Sequence, residues 1–408
     1  MIRFIHTADI HFGVENYGRI DHTTGIHTRL LDFYRALGVC IDRAIEEKVD
    51  FFLFAGDAYK TAQPTPTQQR LLLASFLRLF RAKIPVVMVI GNHDHALSFG
   101  KAHSLDIFGQ IPLQGFHVLS KPGTLQLSTK SGSVNIVGIP WPSRTNVSLQ
   151  NTHTYSSGAH VADHLSSSVV QIIAKHAAAL DPSMPAVLAA HLTVSDGIFS
   201  GSEKRAIYGT DPLFHASQLA ISPFDYVALG HLHRYQNLNP HAHPAVVYSG
   251  SIERIDFGER TETKGFCIVT IEDKHNTTHE FIPIVTREFV QIVVHLHDER
   301  NQTDQIIEQL AQHDITDAVI KIIYHIPAGL RDRVDRARLQ IACSGAHYVA
   351  SIVPVRALTT LQPRCARIST EMDLSTILTT YLSTKPELLP YKERLVTKLL
   401  EIAMEQNV

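Results

Sequence analysis

The chain has 408 residues, 44% of them hydrophobic, and a formal net charge of −2 at neutral pH. That is enough apolar material for two domains with buried cores. The near-neutral balance excludes a bulk positive field that would draw in nucleic acid or an anionic membrane, so binding to a polyanion needs a local patch or bound cations.

The opening MIRFIHTADIHFG holds an apolar run far too short for a secretory leader, and no later stretch reaches the roughly 18 apolar residues of a membrane span. A cytoplasmic protein is expected. Apolar runs predict strands over residues 2–6, 50–55, 85–90, 134–139, 186–190, 225–229 and 245–248. Leu30, Phe33, Leu37, Ile41 and Ile45 recur at helical spacing, as do Val161, Leu165, Val169 and Ile172. Strands alternating with helices predict an α/β layered fold. The stretch TPTQQRLLLASFLRLF, residues 65–80, is apolar around more of its circumference than a surface helix needs.

After HEFIPIVTREF the pattern changes to β-α-β-α-β, with strands over 289–296, 318–325 and 348–355 and helices over 304–312 and 330–343. The organisation expected is therefore a large domain over 1–285, a small α/β cap over 286–370 and a helical tail over 371–408. In the tail, Tyr391, Leu395, Leu399 and Ala403 form one stripe that suits either internal packing or docking of a partner. Cys40, Cys267, Cys343 and Cys365 are scattered and form no CxxC pair, which fits reduced structural thiols.

Five apolar runs end on metal-capable side chains: Asp9-Ile10-His11, Gly56-Asp57, Gly91-Asn92-His93-Asp94, Ala190-His191 and Gly230-His231-Leu232-His233. Singly, each has an ordinary reading as a turn, a helix cap or a hydrogen-bonded filler. Jointly they are specific, because the carboxyl ends of strands in an α/β sheet converge on one crevice. Gly91 is expected to let the chain turn away while Asn92 and His93 stay at the strand tip. Asp9, His11, Asp57, Asn92, His191, His231 and His233 make seven donors, too many for one ion with an open position but natural for two ions sharing a carboxylate. Oxygen and nitrogen donors without thiolate fit manganese, iron or zinc, and octahedral preference favours Mn2+.

The order D-x-H, G-D, G-N-H-D, H, G-H-x-H resembles the calcineurin-like metallophosphoesterases, and FDYVALGHLHRYQ, YSGSIERIDFGE and KGF resemble the SbcD branch of DNA-repair nucleases. The resemblance covers most of the first 285 residues. It implies a β-sandwich flanked by helices, with Asp9, His11, Asp57 and His233 on the first metal and Asp57, Asn92, His191 and His231 on the second. By the same resemblance His93 is the catalytic histidine, stabilising or protonating the leaving 3′ oxygen, with Asp94 orienting that region. Relatives in the archaeal and eukaryotic branch tend to carry a further histidine three residues after the bridging aspartate; here that position is Lys60, a candidate phosphate contact.

The activity implied is a metal-dependent DNA nuclease, a double-strand exonuclease and single-strand endonuclease, in which a water activated by two metals attacks the phosphodiester. The resemblance also implies an SbcC-type ATPase partner gripping the tail and a homodimer built on the helix over 65–80. Arg144, Lys204, Arg205, Arg234 and Arg254 are candidate DNA contacts. Two other readings stand beside this one. The first is a phosphodiesterase of the same superfamily acting on a cyclic nucleotide, and the second is an inactive scaffold that tethers DNA ends.

Overall fold

The computed structural model describes residues 1–96, 101–110, 113–143, 158–201, 211–357 and 372–405. Arg144, Lys204, Arg205, Cys365 and the expected boundary at 370/371 lie outside the described residues.

Two six-stranded sheets form the body of the fold. In the first, β1 (Ile2–Thr7), β2 (Phe51–Phe54), β3 (Val86–Val89) and β4 (Phe116–Leu119) run parallel, and β13 (Gly265–Asp273) and β14 (Asn276–Pro283) extend it antiparallel, in the order β14-β13-β1-β2-β3-β4. The second has the order β11-β12-β10-β7-β6-β5. Its β6 (Gly132–Ile139), β7 (Ala186–His191), β10 (Tyr226–Gly230) and β12 (Ala245–Tyr248) are parallel, flanked by antiparallel β5 (Gly123–Thr129) and β11 (Gln236–Asn237). A short parallel pair joins β8 (Thr193–Val194) to β9 (Leu213–Phe214).

The layering follows from strand periodicity. All four residues of β2, Phe-Phe-Leu-Phe, are buried, the continuous apolar run of a strand covered on both faces. Phe51 and Leu53 point into the core between the sheets, against Ile136, Val187, Tyr226 and Ala228 of the second sheet. Phe52 and Phe54 point the other way, into the core with helices α1 (Thr28–Glu46) and α2 (Pro66–Arg81). Behind α2 the short helix α3 (Asp106–Gln110) adds Phe108 to the same core. Helix α4 (Gly158–Ala178) covers the outer face of the second sheet through Val161, Leu165, Val169 and Ile173. The expected β-sandwich flanked by helices is present.

The start of α2 is set locally: Thr65 and Gln68 form a reciprocal capping box, and Pro66 sits in the first turn. Its broad apolar surface is used on the inside by Leu71, Leu72, Phe76 and Leu79, with Leu73 and Phe80 half-buried.

Further along, β15 (Phe289–His295), β16 (Val319–Ile326) and β17 (Tyr348–Arg356) form a three-stranded sheet. The helix expected over 304–312 spans Gln302–Leu310. That expected over 330–343 is only Arg336–Ala342, because Asp335 accepts hydrogen bonds from the backbone of Ala337 and Arg338 and starts the helix late. The tail is two helices, Leu374–Leu382 and Lys392–Glu405, with a 3₁₀ segment Pro386–Tyr391 between them, since Pro386 and Pro390 cannot continue an α-helical ladder. The chain divides into two compact units: one is Met1–Ile292, Ala311–Lys321 and Gln340–Ser351, the other Val293–Leu310, Ile322–Leu339 and Ile352–Val408. Among the described residues, no helix is long and apolar enough to cross a membrane.

Candidate metal centre

The carboxyl ends of β1, β2 and β3 in one sheet and of β7 and β10 in the other supply the polar groups. Asp9 and His11 follow β1, Asp57 follows β2, Asn92 follows β3, His191 ends β7, and His231 and His233 follow β10. Asp9, His11, Asp57 and His231 all have positive φ, between 50° and 110°. Non-glycine residues in that region are uncommon and cluster where a site imposes strain. The two carboxylate loops are stitched together by Asp9 N to Gly56 O at 2.9 Å and His11 N to Asp57 O at 3.0 Å.

Gly91 serves these loops differently from expectation. Its backbone has no positive φ; what it lacks is a side chain, because a Cβ there would overlap Asp57 Oδ1 and the Asp57 backbone nitrogen. Glycine is needed so that Asp57 can sit against the strand tip.

The donors meet closely. His11 Nε2 lies 3.1 Å from His233 Nε2. His191 Nε2 lies 2.9 Å from Asn92 Oδ1, and His231 Nδ1 lies 3.2 Å from the same oxygen. Asp57 Oδ2 stands between these groups, 3.6 Å from His11 Nε2 and 3.5 Å from His191 Nε2. Asp9 joins both, grouping with His11 and His233 on one side and with Asp57 and His191 on the other. Spacings near 3 Å between donor atoms match adjacent ligands of one ion with bonds of about 2.1 Å. All seven expected ligands are thus brought together, with Asp9 and Asp57 each reaching donors on both sides, and His93 also groups with His11 and Asp57.

The electrostatics suit cations. Burial lowers the pKa of His11 well below its usual value and that of His231 to about 3, so both rings are neutral with a lone pair to offer. Burial pushes Asp9 up to about 6. Burial acts in the same sense on Asp57, but His191, His11 and His93 outweigh it and hold the carboxyl far below the usual range. Burial opposes charge on His191, yet Asp57 and Asp9 raise its pKa to about 9. The field that holds a proton there is the field that attracts a divalent cation, and the two compete. The donor set therefore fits two divalent ions.

A supporting layer surrounds the donors. Asp94 is fully buried and accepts hydrogen bonds from the backbone of Asp57 at 2.8 Å, Ala58 at 3.1 Å and Tyr59 at 3.3 Å, and from Ser104 Oγ at 3.1 Å. It clamps the Asp57 turn, and burial with the nearby Asp57 charge raises its pKa to about 6. His191 Nδ1 donates to Ala55 O at 2.8 Å. His233 Nδ1 donates to Glu259 Oε1 at 2.8 Å. His93 lies at the rim, its backbone N–H on Asp57 Oδ1 at 2.9 Å and its Nδ1 on the carbonyl of Lys60 at 2.8 Å, with its ring 5.0 Å from that of His11. Trp141 packs on the other side, ring centroids 5.0 Å from His231 and 6.1 Å from His191.

The cations fare differently. The side chain of Lys60 is exposed, as is that of Arg234. Arg254 is buried, its guanidinium donating to Thr286 Oγ1 at 2.7 Å and to Arg287 O at 2.9 Å, so it is a packing group rather than an open surface cation. A cleft of about 870 Å³ is lined by Arg234, Tyr235, Arg260 and Phe281, among others, and holds none of the seven donors. A separate trio, Asp225, His243 and His275, is no rival centre: Lys274 already neutralises Asp225 at 2.9 Å and both histidines are exposed.

Sequence reading missed Glu259, Lys264 and Trp141. The first two stand inside the quoted DFGE and KGF segments, but nothing local announces that they reach His233.

Comparison with known proteins places these observations in a family. The chain is 24% identical over 287 residues to the SbcD subunit of nuclease SbcCD from Staphylococcus epidermidis, covering 69% of this chain and 70% of that one. Among solved structures it is similar to a dimetal phosphatase from Danio rerio, with TM-score 0.41 and 10% identity over 69% of this chain and 95% of that one. It is also similar to the protein TT1561 of Thermus thermophilus, with TM-score 0.36 and 12% identity over 69% and 98%. Residues 2–235, more than half of the chain and the span that carries all seven donors, match the family model for calcineurin-like phosphoesterases, and the protein belongs to that family.

Proposed function

We propose that the chain is the nuclease subunit of an SbcCD-type complex, a Mn2+-dependent phosphodiesterase that cuts DNA as a double-strand exonuclease and single-strand endonuclease during break and hairpin processing. It acts as a homodimer with an SbcC-type ATPase in the cytoplasm. The observation that carries the hydrolytic part is the convergence of two donor groups on Asp57 Oδ2, between His11 and His191. Similarity to the staphylococcal SbcD subunit supports the DNA substrate, because the matched length of 287 residues extends past the 2–235 span of the general family.

In this reading Asp9, His11, Asp57 and His233 hold one ion and Asp57, Asn92, His191 and His231 the other. Bound there, two divalent cations supply an activated water and neutralise charge on the phosphoryl oxygens. The rest belongs to the chain. Asp94 keeps the Asp57 turn from shifting when the substrate's negative charge arrives. His93 donates through Nδ1 to the Lys60 carbonyl; as the imidazolium it carries a second proton on Nε2, which it delivers to the leaving 3′ oxygen, returning to the neutral ring that keeps its Nδ1 proton. Arg234 and Arg260, exposed on the cleft that Tyr235 and Phe281 also line, are candidate contacts for backbone phosphates, as is Lys60.

The test is cleavage of a 5′-labelled linear duplex in Mn2+ beside a cyclic dinucleotide and a chromogenic phosphodiester, with wild type and Asp57→Ala, each with and without an SbcC-type ATPase. Laddering of the duplex that vanishes in Asp57→Ala is expected. Turnover of the cyclic dinucleotide with no cutting of DNA, even with the ATPase, would overturn the nuclease reading in favour of a small-molecule phosphodiesterase.

A further inference from the structure

We infer that Glu259, fixed by Lys264, sets the affinity of the metal position formed by Asp9, His11 and His233 independently of the position formed by Asn92, His191 and His231. The inference rests on the ligand assignment proposed above and adds two positioning residues to it.

Glu259 and Lys264 are both buried, at 0% and 1% exposure. Glu259 Oε1 takes the Nδ1 proton of His233 at 2.8 Å; Oε2 takes the backbone N–H of Ile255 at 3.0 Å and Lys264 Nζ at 2.8 Å. Lys264 also donates to the backbone carbonyl of His233 at 3.1 Å and to Glu262 Oε2 at 2.9 Å. One ion pair thus grips the ligand at its ring and at its main chain.

An ionised carboxylate can only accept, so the imidazole proton of His233 is confined to Nδ1. Its Nε2 lone pair is then aimed at the donor group that includes His11 Nε2, 3.1 Å away. The equivalent atom of His191 has only a neutral acceptor, the Ala55 carbonyl. An anion behind an imidazole makes the ring a stronger donor as well as fixing its orientation. The two positions therefore differ in support: one imidazole is backed by a charge, the other by a carbonyl.

Lys264 explains how that charge survives burial. A lone carboxylate in this environment would be costly and would tend to protonate, which would make it a donor facing a donor. The ammonium group compensates the charge while leaving Oε1 for His233. Removing Glu259 alone would leave the buried ammonium with Glu262 as its remaining carboxylate partner and with one of its ion pairs lost, so the informative experiment includes the double variant.

The experiment compares wild type, Glu259→Gln and Glu259→Gln/Lys264→Met. Manganese content is measured after equilibrium dialysis over a range of Mn2+ concentrations, Trp141 fluorescence reports the His191/His231 side, and urea unfolding checks the fold. The expected result is two ions per wild-type chain. Both variants should lose one of them with a roughly 10- to 100-fold weaker affinity, while the Mn2+ midpoint read by Trp141 stays where it was and the double variant keeps the wild-type urea midpoint. Equal weakening of both ions, or unchanged binding in a folded variant, would overturn the inference and leave the pair a packing element. A wild type that holds fewer than two ions would refute the ligand assignment, and the inference with it.

Discussion

A methyl group on Gly91 would overlap Asp57 Oδ1 and approach its Cγ to 2.8 Å, closer than Cβ atoms come in proteins. In Gly91→Ala the strand tip is held by β3, so the Asp57 carboxyl must give way by about 1 Å, an overpacking that costs roughly 1–3 kcal/mol of stability. A displacement of that size at the shared carboxylate corresponds to about a 100-fold loss of turnover. Hydrolysis of a chromogenic phosphodiester in Mn2+ measures this, with manganese content and urea unfolding read on the same preparation. Gly109→Ala is the control, since nothing lies within 4 Å of a Cβ there and its φ is not positive. A Gly91→Ala protein with wild-type kcat and full metal content would show that the space beside Asp57 is not what this glycine preserves.

His93→Asn should abolish cleavage while sparing metal content; loss of an ion would make His93 a ligand rather than a proton donor. The chain's single tryptophan packs on His231 and His191, so Mn2+ should quench its fluorescence, and the quench should vanish in His191→Ala. Asp32 is buried under Arg29 and Arg287, each 2.7 Å away. Burial opposes its charge, but these guanidinium groups win and hold its pKa below 3.8. Its ionised form therefore stabilises the fold fully above 3.8, and this contribution disappears as pH falls through the lower folded value. Asp32→Asn should cost about 3–5 kcal/mol at neutral pH, as for a broken buried pair. By urea titration the deficit should shrink in acid; a pH-independent deficit would refute the role of charge.

The strands that carry donors were legible because each is buried on both faces and ends on a residue type with little reason to follow an apolar run. Edge strands were not. β5 and β14 alternate exposed and covered residues and offer no continuous apolar run, while β13, interior in its sheet, carries no chemistry that would draw notice. The seven donors could be named because their chemistry is local to each turn. Glu259 and Lys264 could not, because their meaning lies in contacts across 26 and 31 residues that no local pattern encodes. Arg254 shows the opposite error: a cation near a ligand motif looks like a phosphate contact, yet long-range packing has engaged both terminal nitrogens of its guanidinium. Gly91 was legible in place and misleading in cause, since periodicity cannot distinguish a residue that bends the chain from one that makes room for a neighbour.

The donor set also constrains how the protein acquires competence. Asp9 and His233 are separated by most of the family domain, and the groups between them come from strands of both sheets. Such contacts close large loops and form late, because the entropy of closure must be met before the contacts contribute. No partial fold that lacks β10 holds either cluster complete. Divalent cations recognise the finished arrangement and not its precursors, so they act on the rate at which the native chain opens rather than on the rate at which it forms. A chelator should shorten the lifetime of the folded protein while leaving its refolding time unchanged. The hydrolytic centre is in this sense a latch set after assembly, and a chain caught midway through folding carries no premature phosphoesterase.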